Sequence, residues 1–82
     1  MTTRHKAPGP FARRLATLRW RANLGRDQLA KLSGVSAGLV QSLEQGRTAN
    51  PTMRSLLGLA RGLGLAAAEL IEGLSEAGDG QE

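Results

Sequence analysis

Cysteine and tyrosine are absent from this 82-residue chain, and its aromatic side chains amount to one Trp and one Phe. The missing cysteines exclude disulfides, thiolate metal sites and cysteine nucleophiles, and they leave an intracellular setting as the expectation. The single histidine, His5, falls in the N-terminal stretch, so no Ser-His pair or histidine metal cluster can be assembled. Acidic residues are scattered rather than paired on one helix, and Gly62-Leu63-Gly64 lacks the third glycine and the preceding strand of a dinucleotide loop. Neither an enzyme nor a cofactor is expected. Long apolar runs are missing too: Arg4 and Lys6 are followed by Pro8-Gly9-Pro10, so no signal peptide or membrane span is expected.

What remains is a chain that is 40% apolar and must build its core from Leu, Ala and Val, which favours helices over a sheet. Its length suits one domain with tails. The net charge of +4 is unevenly spread. Arg4, Lys6, Arg13, Arg14, Arg19, Arg21 and Arg26 all precede the first acidic residue, Asp27. After Gly64 there are only acidic charges: Glu69, Glu72, Glu76, Asp79 and Glu82. Such a split suits one face for a polyanion and another turned away from it, although a solvated surface with a chance bias gives the same count.

Residues 1–9 read as a flexible basic arm, 10–74 as the folded domain and 75–82 as a disordered acidic tail. A first helix is expected over 10–22, with Phe11, Leu15, Leu18 and Ala22 on one face and Asn23 ending it in the left-handed region. A second spans about 26–32, presenting Leu29, Ala30 and Leu32 before Ser33-Gly34 breaks the pattern. Ser36 caps a third that runs to about Gln45, with Val40 and Leu43 inward and Gly46 as the stop. Pro51-Thr52 opens a fourth, striped by Leu56, Leu59, Ala60 and Leu63 and closed by Gly64. A short fifth over 67–73 offers Leu70, Ile71 and, just beyond it, Leu74.

Two short helices joined by a tight glycine turn form many kinds of hairpin, and the spacing narrows the choice. Ala30 is small enough for the third helix to cross the second closely, Gly34 permits a positive φ, and Val40 fills the angle between them. Together with Leu15, Leu18, Arg19, Leu24, Leu29, Val35-Ser36, Leu43-Glu44, Gly46-Arg47, Pro51, Leu56, Leu59-Ala60, Leu63-Gly64 and Glu69-Leu70, these residues resemble the phage-repressor-like helix-turn-helix family, which includes the lambda repressor and Cro proteins. The resemblance covers residues 11–73. It implies an all-α, compact five-helix lambda-repressor-like domain whose helix-turn-helix is formed by helices 2 and 3.

By that resemblance the helix over 36–45 enters the major groove of a double-stranded DNA, a docking known for the lambda and 434 repressors. Position then assigns Ser36, Ala37, Gly38, Gln41 and Ser42 to base edges, and Arg26, Gln45, Arg47, Thr48 and Asn50 to phosphates. Arg26 has a rival role as an exposed arginine paired with a neighbour. Ala37 and Gly38 stand where relatives carry long polar side chains, so direct readout falls on Gln41, Ser42 and Ser36. Arg19 and Glu44 occupy the positions of a structural ion pair. Trp20 marks either a partner surface or an edge packed against the arm.

The implied function is a sequence-specific transcriptional regulator, with a repressor as the first expectation, acting in the cytoplasm of a bacterium or on a phage genome and associated with the nucleoid. It would bind an inverted repeat as a homodimer through Leu65, Ile71 and Leu74. The alternatives are an antitoxin that also represses its own operon, and a protein-interaction adaptor with weak DNA binding.

Overall fold

The computed structural model describes residues 9–48 and 50–72, so most of the basic arm, the acidic tail and Leu74 lie outside the described residues. Four helices follow one another: α1 (Pro10–Arg21), α2 (Arg26–Ser33), α3 (Ala37–Glu44) and α4 (Met53–Leu63). A fifth helical segment, α5, covers 67–72, and no strand occurs among the described residues.

Each boundary has a local chemical cause. Pro10 sits in the first turn of α1, where a missing N–H costs nothing, and Asn23 leaves the helix at φ 63°. The Gln28 side chain reaches back to accept from the Gly25 N–H at 2.6 Å, fixing the start of α2. Gly34 ends α2 in the left-handed region at φ 73°, and Val35 N–H donates to Ala30 O at 3.1 Å. Two residues later the Ser36 hydroxyl accepts from Leu39 N–H at 3.0 Å, so α3 begins as soon as α2 stops. Thr52 caps α4 in the same way through Ser55 N–H. At α5, Glu69 reaches back to Ala66 N–H at 3.1 Å.

Phe11, Leu15, Leu29, Ala30, Val40, Leu43, Leu56, Leu59, Ala60 and Leu70 form one buried cluster drawn from all five helices. Leu18 and Leu63 are half-buried against this cluster, and two other residues expected to face inward are exposed. Ala22 is exposed, because α1 ends at Arg21 and the chain turns away through Asn23. Leu32 is 56% exposed. The inward face of α2 is centred on Leu29, Ala30 and Ser33, and at about 100° per residue Leu32 lies well round the side of it.

Ser33 is buried because α2 and α4 cross there with almost no gap. A Cβ on Gly58 would come 2.3 Å from the Ser33 carbonyl oxygen, and one on Gly62 would come 2.4 Å from its hydroxyl oxygen. Glycine at 58 therefore sets the crossing distance, and with it the angle at which α3 leaves the turn. Gly58→Ala is expected to destabilise the domain by about 1–3 kcal/mol through overpacking, lowering Tm by roughly 4–8 °C for each kcal/mol. Gly38→Ala, whose Cβ would meet nothing closer than 3.9 Å, gains helix propensity instead and is expected to raise Tm. Thermal melts of the two variants give opposite signs; a rise for Gly58→Ala would contradict the close crossing.

Candidate nucleic-acid interface

An eight-residue helix is too short to persist in water alone, so α3 depends on tertiary contacts. Val40, Leu43 and Glu44 supply its inward face. Gly38, Gln41 and Gln45 are exposed on the outside, with Ala37, Leu39 and Ser42 half-buried. The outward face thus carries small and uncharged polar groups, and no described residue hydrogen-bonds the Gln41 or Gln45 side chain.

Glu44 is the one charged residue in the core among the described residues, with its side chain 2% exposed. Arg19 holds it with two bonds, Nε to Oε2 at 2.6 Å and Nη2 to Oε1 at 3.1 Å, and donates a third from Nη1 to Leu24 O at 2.9 Å. These contacts tie the last turn of α1 and the α1–α2 loop to the last turn of α3. Arg26, at the first position of α2, donates from Nε to Glu44 Oε1 at 3.0 Å. Its side chain is 40% exposed, so it spans the gap between the buried carboxylate and solvent. Sequence position placed Arg26 among the phosphate contacts, with pairing to a neighbour as the rival role; the structure shows the pair with Glu44.

The hydrogen bond to Glu44 raises the Arg19 pKa above the ordinary arginine value; burial opposes the rise, and the Coulomb attraction of the same carboxylate adds to it. For a cation whose folded-state pKa is raised, the stabilisation is complete below the unfolded value and is lost only above it. The Arg19 side of the pair is therefore at full strength at any neutral or mildly alkaline pH.

The other sequence-assigned residues spread around α3. Ser36 is exposed, and its hydroxyl already accepts from Leu39 N–H, leaving the O–H free to donate outward. Arg47 and Asn50 are exposed and Thr48 is half-buried; the Arg47 and Thr48 amides both bond to Ser42 O, which fastens the loop to the end of α3. Leu65 and Ile71 are half-buried. Trp20 is 77% exposed, beside Asn23 and Gly25 at the mouth of a surface cleft. Sequence reading missed the tie between α1 and α5, in which Arg14 Nε donates to Glu69 O at 2.8 Å and Nη2 meets Glu72 Oε1 at 3.4 Å. Its only signal was the meeting of a basic first helix and an acidic last one. Among the described residues no group of His, Cys, Asp or Glu is placed to hold a metal, and no helix is long and apolar enough to cross a membrane.

Removal of Glu44 leaves the Arg19 guanidinium half-buried without its carboxylate, at an expected cost of about 3–5 kcal/mol for Glu44→Ala. Arg26→Ala, with Arg19 still in place and its own head group near water, is expected to cost no more than about 1 kcal/mol. Urea unfolding of both variants checks the order; equal losses would contradict the primary role of Arg19.

Residues 10–72 match the family described as helix-turn-helix domain. Among solved structures the chain is similar to the restriction-modification controller protein C.AhdI from Aeromonas hydrophila. The two share 34% identity and superpose with a TM-score of 0.71 over 74% of this chain and 91% of that one. It also resembles in fold the clp gene regulator ClgR from C. glutamicum, at 22% identity and TM-score 0.71 over 90% and 95% of the two chains. Another restriction-modification controller protein superposes over 95% of this chain and 100% of its own at 17% identity and TM-score 0.71. No curated protein matches the chain. With two capped helices joined by a turn at Gly34 and the second turned outward, the chain belongs to the helix-turn-helix domain family and is a DNA-binding regulator rather than an enzyme.

Proposed function

We propose that this protein is a transcriptional repressor that lays α3 in the major groove and blocks access to its site by occupying it. The observation that carries the reading is the uncovered outer face of α3: Gly38, Gln41 and Gln45 point away from the core while both ends of the helix are fixed. Base edges then meet Ser36, Ala37, Gly38, Gln41 and Ser42. Gln41 is the longest of these and the one side chain suited to paired hydrogen bonds with adenine. Arg47, Thr48, Asn50 and Gln45 meet the backbone beyond the end of α3, and Arg26 meets it at the start of α2.

Only one of the five groove residues is long and polar, so base discrimination rests on few contacts. DNA shape and phosphate contacts supply the rest of the affinity. The similarity to restriction-modification controller proteins favours a regulator over an antitoxin or an adaptor. A homodimer on an inverted repeat, with half-sites about 34 Å apart, is the assembly proposed. Leu65 and Ile71, half-buried next to the core, are its candidate interface, with Leu74 outside the described residues.

Selection from a random duplex library tests the reading, and an inverted-repeat motif is the expected product. Gln41→Ala should then relax the preference at one base pair by about 1–3 kcal/mol while leaving the other positions unchanged. A uniform loss across all sequences from Gln41→Ala would contradict the placement of α3.

A further inference from the structure

Between the α2–α3 turn and α4 lies a cleft of about 510 Å³, with residues 33–36 and Leu39 on one wall and Arg54, Ser55 and Arg61 on the other. No carboxylate of the described residues lines it. Arg54 and Arg61 are seven residues apart, two turns of helix, so both fall on the same side of α4 about 10 Å apart along its axis. Both are exposed, and among the described residues neither makes a hydrogen bond or an ion pair. Arg14, Arg19 and Arg26 are by contrast each fixed by a carboxylate.

The cleft is defined by its position around α3. Leu39 on its wall and Glu44, which anchors Arg26, are five residues apart and so about 140° apart around the helix axis. The buried Val40 and Leu43 fall within that arc, and the exposed residues Gly38, Gln41 and Gln45 occupy the outer arc of about 220° that completes the turn. A duplex that receives this outer arc in its groove therefore meets Arg26 along one wall of the groove and the Arg54/Arg61 cleft along the other. Arg54, in the first turn of α4, is closest in sequence to the loop carrying Arg47, Thr48 and Asn50; Arg61 extends the positive strip by two turns.

We propose that Arg54 and Arg61 form a second phosphate-binding strip that holds the DNA backbone on the side of the groove opposite Arg26. The proposal rests on the groove placement of α3. In a recognition helix with few long polar side chains, backbone contacts on both sides would fix the docking angle that base contacts alone leave loose. The ligand is a run of backbone phosphates, so the strip adds affinity without base preference.

The test is DNA affinity measured across salt concentration for the full chain, Arg54→Gln, Arg61→Gln, the double variant and Lys31→Gln. Lys31 is an exposed cation of α2 that does not line the cleft. Thermal melts establish that each variant is folded. Each cleft arginine is expected to reduce the slope of log affinity against log salt by about 0.9, and the double variant by about 1.8, for every sequence alike. Lys31→Gln is expected to leave the slope unchanged. Wild-type slopes in both arginine variants, with DNA still bound, overturn the strip and leave the groove reading intact. Failure of the wild-type chain to bind any duplex overturns both. Inorganic phosphate is titrated into the DNA-free protein as a second arm. Saturating amide shifts at Ser36 and Ser55 together with an unchanged DNA slope would assign the cleft to a free anion and overturn the backbone assignment.

Discussion

A buried carboxylate with two arginines on it holds the reading element in place. Glu44 lies in the last turn of α3, inside the core, where an unpaired charge would be expensive. Arg19 neutralises it from α1 with a two-point contact, and the same guanidinium closes on the Leu24 carbonyl. One side chain thus connects the end of the first helix, the loop that follows it and the end of the third. The hydrophobic cluster supplies most of the burial, but apolar packing is weakly directional; the paired hydrogen bonds set the rotation of α3 about its own axis. That rotation decides which residues of an eight-residue helix face outward.

The opposite end of α3 is set by backbone proximity. With glycine at 58 and 62, α4 approaches the Ser33 end of α2 more closely than any side chain would allow, and Gly34 then turns the chain into the Ser36 cap within three residues. Close approach at one end and an ion pair at the other bracket the helix. The Ser33 hydroxyl is buried in this crossing without a hydrogen-bond partner among the described residues. That is a destabilising feature tolerated where the helices meet.

Much of this was legible in the sequence because it is local. The stops at Asn23, Gly34 and Gly64, the caps at Ser36 and Thr52, and the three-and-four spacing of Leu15, Leu29, Val40 and Leu59 each depend on a few neighbouring residues. Leu32 was misplaced because the inward direction of α2 is chosen by where α4 crosses it, and α4 lies more than twenty residues away. The third contact of Glu44, from Arg26, and the cleft between the α2–α3 turn and the Arg54/Arg61 side of α4 depend on helices brought together by folding. Spacing along one helix shows that two arginines share a side; it does not show what stands opposite them.

A short helix held at both ends should behave as part of the global fold and not as a loosely docked segment. Native-state amide hydrogen exchange of the DNA-free protein measures this directly. The expected result is that the Val40 and Leu43 amides of α3 open with the same free energy as Leu59 and Ala60 in α4, so that the recognition helix is lost only when the whole domain unfolds. Exchange of the α3 amides through a separate opening several kcal/mol below the global value would contradict the account.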